Sequence, residues 1–451
     1  PTTNDLGRVI KEFTKKHPNK IVENLQPFIN TKYDYICQIL LGLIDSWKEK
    51  KSFDWGKILE FILSYINRIE FWSDNYKIDD GVYYADYKST LKCIFSLLRA
   101  GSEYGEWAFE NKHYPKAKEI LLYILKEIKS VEEVDLNNDP ISYVLNSVKG
   151  QGLQALLSMS LFNKDEKNIW DTEFREIYAD YLDNKIVDAF ILLGWKLSLF
   201  ISLEKDWTIN KVETINLGDK YWISFMTGYT RSGRISSDIY TLMKEHYKYA
   251  IDNNIQLKQI ARDIATGYLD SCYTDNDLYE KVLVTWNHEI IGEFIRMFCY
   301  QVGRPLEDDI RRKIIEFWEA FYQHYKSCIP KGISKEDTIL LSDSLNLISV
   351  LNDISRENYH MLDIAIPYAE ANFNAYEIIE SLYKRIDSSD TIEKRLVIGE
   401  LMDNLIKSCI PKYPKEIIEK LVEYLYEAKE ERLNKLANEI CNIYAKNREY
   451  F

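Results

Sequence analysis

Apolar side chains recur along most of this chain at intervals of three and four residues, which is the period of a helix with one buried face. A short helix is predicted to begin at Pro18, because proline suits the first turn of a helix. Ser52 and Asp54 are candidate capping residues for a helix at 55–66. Further amphipathic helices are predicted at 34–48, 88–98, 116–128, 415–427 and 431–444. The pattern therefore predicts consecutive helices at both ends of the chain.

The pattern gives little sign of β-strands. The best strand candidate runs from Val282 to Trp286, and it is too short and isolated to form a sheet. Glycine and proline are scarce, at 17 and 10 of 451 residues, whereas sheets and barrels need many tight turns. These observations predict an all-α chain with long helices and few corners.

One six-residue sequence, KSCIPK, occurs at 326–331 and again at 407–412, which is 81 residues later (407 − 326). The apolar positions before the two copies also match: Ile315 with Leu396, Phe317 with Ile398, Phe321 with Met402, and Tyr325 with Ile406. Each copy predicts a helix that ends at the same proline-stopped turn. Recurrence at about twice 40 residues is typical of stacked helical pairs. The predicted fold is an α-solenoid of antiparallel helix pairs, similar to TPR or HEAT repeats.

The length of 451 residues exceeds one compact core, so several sub-domains or one continuous array are expected. The clearest break is 131–140, which has four acidic residues, two asparagines, a proline and no apolar face. Weaker breaks are predicted at 208–219 and 329–335. The predicted parts are N-terminal repeats at 1–130, central repeats at 141–330 and C-terminal repeats at 331–451, all within one array.

The charge balance bears on the class of partner. The formal net charge is −13, and no block of lysine or arginine offsets it. Sequence-independent nucleic-acid binding needs a basic surface, so nucleic acid is a poor primary partner. The chain has 33 tyrosines and 10 tryptophans, side chains that fill cores and also anchor protein interfaces. A protein partner is therefore expected.

The seven cysteines form no CxxC pair, and their number is odd, so they are interpreted as buried free thiols in a reducing cytoplasm. The chain begins without the apolar core of a signal peptide. Residues 186–203 are long and apolar enough to span a membrane, but Asp188 and Lys196 lie among them. Charges inside a bilayer are costly, so a buried helix and a cytoplasmic protein without a membrane partner are predicted.

Motifs with known chemistry are missing from the sequence. It contains no GxxxxGK[ST], GxGxxG, HExxH, GxSxG or calcium-binding loop, so no cofactor is expected. No two of the six histidines lie three or four residues apart, so no helical metal pair is predicted. His288 and Glu289 are interpreted either as half of an acid–base pair or as a capped turn at a helix start.

The stretch from Gly228 to Arg234, GYTRSGR, is the richest in glycine and basic residues. It is read either as a cradle for a phosphate or carboxylate, or as a plain exposed corner between two helices. An aromatic residue and two positive charges on an acidic chain make it the best local candidate for binding a partner protein. The candidate partner-binding residues are Trp222, Tyr229, Arg231 and Arg234.

Two longer stretches go beyond helical periodicity, at 139–157 and 194–251. They resemble the C-terminal region of bacterial antiphage STAND NTPases, the Avs (antiviral STAND) family. The matching residues of the first motif are Asn146, Ser147, Lys149, Gly150, Leu153, Ala155 and Leu156. Those of the later motifs are Leu203, Lys205 and Trp207, then Trp222, Gly228, Tyr229, Tyr240, Tyr247, Ala250 and Ile251. Lys149 stands where the family pattern more often has arginine. The match covers about a quarter of the chain.

The resemblance implies a C-terminal helical-repeat sensor that follows an effector and an NTPase in a longer protein and clasps a phage protein. The leading hypothesis is therefore a non-catalytic sensor domain that recognises a phage terminase or portal protein and so triggers a separate NTPase or effector. The alternative is a helical-repeat scaffold or oligomerisation domain that binds host proteins. A third hypothesis is an enzyme with an unfamiliar helical site, although the sequence offers no cluster of acid, base and nucleophile.

Overall fold

The structure is a computed structural model that describes residues 3–73, 85–103, 108–128, 139–162, 170–233, 235–270, 277–302, 306–370, 373–386 and 391–447. Within these ranges every regular element is a helix, and no strand occurs. The all-α prediction is confirmed. The rejected strand candidate at Val282 lies in a helix.

The chain divides into two compact units, Pro1–Arg234 and Ile235–Phe451. The α-helices of the first unit are α1 Thr3–Lys16, α2 Pro18–Val22, α3 Tyr33–Lys48, α4 Trp55–Ile66, α5 Tyr87–Ser102, α6 Tyr114–Glu127, α7 Pro140–Asn146, α8 Val148–Phe162, α9 Thr172–Asp183, α10 Val187–Trp195, α11 Leu197–Leu203, α12 Lys205–Glu213 and α13 Lys220–Tyr229. Short 3₁₀ helices occupy Gln26–Phe28, Ile69–Trp72 and Asn111–His113.

The α-helices of the second unit are α14 Ser237–Asp252, α15 Leu257–Leu269, α16 Asp277–Thr285, α17 His288–Val302, α18 Asp308–Cys328, α19 Lys335–Ser344, α20 Arg356–Asp363, α21 Asn374–Tyr383, α22 Ile392–Ser408, α23 Lys415–Glu427 and α24 Glu431–Lys446. Its 3₁₀ helices are Ile329–Lys331, Leu345–Val350 and Ile366–Tyr368.

The three parts predicted from the sequence have boundaries that differ from the boundary between these two units. The boundary between the two units falls inside the predicted central part, 141–330. The predicted break at 131–140 lies outside the described residues except for Asp139 and Pro140, and Pro140 begins α7. The predicted break at 208–219 begins inside α12. The predicted break at 329–335 links α18 to α19 within the second unit.

Helices in each unit pack mainly against a helix two or three places further along the chain. In the first unit one row is α1, α3, α5, α8, α10 and α13, and a second row contains α4, α6 and α9. In the second unit one row contains α15, α17 and α19, and another contains α18, α20, α22 and α24. Two rows of alternating helices are typical of stacked helical pairs. The specific likeness to TPR or HEAT repeats stays a prediction.

The apolar segment at 186–203 does not form one long helix. It breaks at Lys196, which separates α10 from α11, and the residues from Val187 to Gly194 are all buried in the first unit. Among the described residues no helix is both long enough and apolar enough to cross a membrane. The predicted burial is confirmed for α10, but the segment forms two helices and not one.

The two KSCIPK copies share a helical face but not a turn. At the matched positions, Phe317 and Ile398 are both buried, as are Phe321 and Met402, and Tyr325 and Ile406. After α18 the first copy forms the 3₁₀ helix Ile329–Lys331, which ends at Gly332 with φ +93°. After α22 the second copy has an extended Cys409, and no 3₁₀ helix follows it within the described residues. The predicted common turn is therefore wrong, because only the first copy is followed by a glycine that accepts a positive φ.

Candidate functional site

Two of the four residues predicted to bind a partner are buried in the core of the first unit. Trp222 and Tyr229 lie on α13 and are 0% and 1% exposed. They are seven residues apart, two helical turns, so they share the face that α13 turns towards α10. Arg231 is exposed, and Arg234 lies outside the described residues. The prediction that Trp222 and Tyr229 contact a partner is corrected: a ring without exposed surface cannot anchor one.

Glycine in the resemblance motif explains this burial. A Cβ atom on Gly228 would lie 1.9 Å from the Ile191 carbonyl oxygen, and one on Gly194 would lie 2.0 Å from the Phe225 carbonyl oxygen. The two glycines thus let the backbones of α10 and α13 touch, and no larger residue fits either position. The motif residue Gly228, together with Gly194, lets the two helices pack closely and does not present a binding surface.

The first motif has a similar structural use. The Ser147 hydroxyl accepts a hydrogen bond from the Gly150 amide at 2.8 Å and donates one to the carboxylate of Asp188, which is buried in α10. The ammonium of Lys149 lies 5.9 Å from the ring centre of Tyr181. Ser147 therefore caps the start of α8 and ties it to α10.

Beside Lys149, a groove of about 310 Å³ opens between α6, α8 and α9. Its described lining residues are Leu125, Lys126, Ile128, Lys149, Ile177, Asp180, Tyr181, Asn184 and Ile186. Burial raises the pKa of Tyr181, whose hydroxyl donates to the Leu125 carbonyl at 2.9 Å. The groove thus combines aliphatic walls with the ammonium groups of Lys126 and Lys149 and the carboxylate of Asp180.

His288 has a different partner from the one considered in the sequence. Its Nε2 lies 2.8 Å from Oδ1 of Asp337, while Glu289 takes part in the helix start, where its amide donates to the Asn287 side chain. Asp337 also accepts hydrogen bonds from the Tyr325 hydroxyl at 2.9 Å and from the Ser334 amide at 2.8 Å. Asp337 thereby joins the ends of α17, α18 and α19.

The Asp337 carboxylate is held in its charged form. Burial acts to raise its pKa, but the hydrogen bonds from Ser334, His288 and Tyr325 outweigh burial and place the pKa well below its usual range. Next to this cluster, the His324 ring stacks on Trp286 with 3.6 Å between centroids, and burial lowers the pKa of His324. No group of three or more potential metal ligands occurs among the described residues. The cluster is interpreted as a cap that links three helices.

Replacement of Asp337 by asparagine is expected to destabilise the second unit by about 1 kcal/mol, because it removes the charge that strengthens these hydrogen bonds. Urea unfolding followed by circular dichroism measures the change. The control is Asp308→Asn, which alters an exposed acidic residue in the first turn of α18. Equal stability of the two variants would contradict a capping role for Asp337.

Exposed aromatic side chains are more numerous in the second unit than in the first over the part of the chain that the structure describes. Among the described residues, the aromatic side chains more than a third exposed are Phe13 in the first unit and Tyr300, Phe373, Tyr376, Tyr413 and Tyr426 in the second. Their exposed fractions in the second unit run from 38% to 72%. Periodicity in the sequence does not separate them from core tyrosines. They are the strongest candidates for contact with a partner.

Comparisons with known proteins give no relative for this chain. No family model matches it, no curated protein is significantly similar to it, and no solved structure matches it. The fold defines the class, an all-α protein of packed helices.

Proposed function

We propose that this chain is a non-catalytic sensor domain that binds a phage protein of the terminase or portal type and thereby triggers a separate NTPase or effector. The observation that carries the proposal is the set of exposed aromatic side chains on the second unit. Exposed tyrosine and phenylalanine side chains anchor protein interfaces, because a large rigid ring loses little entropy when it becomes buried.

The class of partner comes from the resemblance to antiphage STAND proteins. The motif residues Ser147 and Gly228 occupy contacts among α8, α10 and α13. Motifs of that kind identify a scaffold, so the proposal carries over the role of the family's sensor region and takes the binding residues from the exposed surface of this chain.

The proposal assigns no reaction to the chain. One imidazole–carboxylate pair, His288 and Asp337, takes part in hydrogen bonds that hold helix ends together. The described lining of the groove beside Lys149 includes no histidine, cysteine or serine. The exposed aromatic side chains of the second unit therefore support a binding function over a catalytic one.

The test measures binding of the chain to a panel of purified phage terminase and portal proteins. A triple change, Tyr300→Ser with Phe373→Ser and Tyr413→Ser, is expected to weaken a bound partner at least tenfold, or about 1.4 kcal/mol. The control changes two exposed aliphatic residues of the same unit, Val284→Ser and Ile392→Ser, and should bind like the wild type.

Two results would contradict the proposal. One is that no panel member binds at about 100 μM, a concentration at which even a weak specific interface is occupied. The other is that the triple variant binds as tightly as the control. Capture of the same host protein from infected and uninfected cells would instead support the scaffold alternative.

A further inference from the structure

The first helix exposes an apolar stripe. Leu6, Val9 and Phe13 on α1 are 47%, 63% and 43% exposed, and Ile10 beside them is half-buried. Their spacing of three, four and seven residues places them on one face of the helix. A contiguous apolar face on a surface helix is uncommon unless something covers it.

The stripe is not needed to hold α1 in place. The helix packs on α3 through a different face, where Thr14 is buried and a Cβ on Gly42 of α3 would lie 2.7 Å from the Lys11 carbonyl oxygen. Lys11 and Lys15 add ion pairs to Asp45 and Glu49 at 2.9 and 2.6 Å. Among the described residues, the apolar stripe is therefore left largely uncovered.

Charged residues along one edge of the stripe alternate in sign. Asp5, Arg8, Glu12 and Lys16 are all exposed and follow one another at spacings of three and four residues. Read from the N-terminus, the edge is negative, positive, negative, positive. Reversed, it is positive, negative, positive, negative, so an antiparallel copy of the same edge would place every charge opposite its complement.

We propose that α1 binds α1 of a second copy of this chain, antiparallel, about a two-fold axis that passes near Val9 and Ile10. Leu6 then packs against Phe13 of the second copy, while Arg8 faces Glu12 and Asp5 faces Lys16 of that copy. A two-fold interface needs such a self-complementary patch. A parallel arrangement would place this charged edge beside the opposite edge of the second helix, so none of these pairs would form. This inference is independent of the proposed function.

One helical stripe is smaller than the roughly 800 Å² per partner that stable interfaces bury. The dimer is therefore expected to dissociate in the micromolar range. Sedimentation velocity of the wild-type chain between about 5 and 200 μM should show the sedimentation coefficient rising with concentration. A monomer across that whole range overturns the proposal.

Charge reversal tests the antiparallel register. Arg8→Glu places acid opposite acid, and Glu12→Arg places base opposite base, so each variant alone should dimerise at least tenfold more weakly. A mixture of the two restores both pairs and should form a heterodimer as tight as the wild-type dimer. The double variant should also dimerise. A mixture that remains monomeric overturns the proposed arrangement.

The change Val9→Glu tests the apolar stripe. Val284→Glu is the control, because Val284 is also an exposed valine, 86% exposed, and lies in the second unit. Val9→Glu should weaken dimerisation at least tenfold, while Val284→Glu should leave it unchanged. Dimers of equal strength from both variants overturn the proposal, because the contact would then lie elsewhere. Both positions are exposed, so folding is expected to survive, and circular dichroism checks it.

Discussion

Replacement of Gly228 by alanine is expected to destabilise the first unit by about 3 kcal/mol. The new Cβ would lie 1.9 Å from the Ile191 carbonyl oxygen, which belongs to the backbone and cannot rotate away. Helices α10 and α13 would have to separate, and the buried contacts of Trp222 and Tyr229 would loosen with them. Urea unfolding followed by circular dichroism measures the loss.

The matched control is Gly7→Ala in the same unit. A Cβ on Gly7 meets only the flexible Gln38 side chain, at 3.2 Å, so the change is expected to stay within about 1 kcal/mol of the wild type. If Gly228→Ala unfolded as the wild type does, the contact between α10 and α13 would not need glycine.

The second unit is expected to lose roughly 2.5 kcal/mol of stability between pH 7.5 and pH 4.5 through one side chain, His246. His246 lies buried on α14, and burial lowers its pKa from 6.5 to about 4. Between these two values the unfolded chain binds a proton that the folded chain does not. This contribution to stability is therefore nearly complete above pH 6.5 and falls by about 1.4 kcal/mol for each pH unit between 6.5 and about 4.

His246→Gln removes the titrating group. Between pH 7.5 and pH 4.5 the variant should therefore lose roughly 2.5 kcal/mol less stability than the wild type loses. Urea unfolding at several pH values measures both proteins. His17→Gln, at an exposed histidine of the first unit, is the control and should keep the wild-type slope for the second unit. Parallel slopes for the wild type and His246→Gln would contradict a buried neutral His246.

Helix positions followed closely from the sequence, because local signals set them. The helix predicted at 55–66 is α4, and the Asp54 carboxylate accepts from the Lys57 amide at 3.2 Å as a cap should. The helix at 415–427 is α23, and α24 extends two residues beyond the predicted end. Caps, prolines and apolar spacing lie within a few residues of one another, so a single sequence reveals them.

The candidate surface did not follow from the sequence. Tyr229 and Tyr300 both occur on amphipathic helices, yet the first is 1% exposed and the second 63%. The difference depends on which helices meet. For Tyr229 that is decided by the close approach of α10 and α13 at Gly194 and Gly228, residues 34 positions apart (228 − 194). Tertiary contacts of this kind leave no mark in local periodicity.

The alternating rows of helices have a consequence for how the chain acquires its structure. Most helices find their main contacts only two or three elements away, so the segments that close to form those contacts are short relative to the whole chain. Short loops have a small entropic cost of closure, and chains of low contact order fold fast. Folding of each unit can begin at any neighbouring pair of helices and spread outward, as nearest-neighbour cooperativity in linear arrays allows.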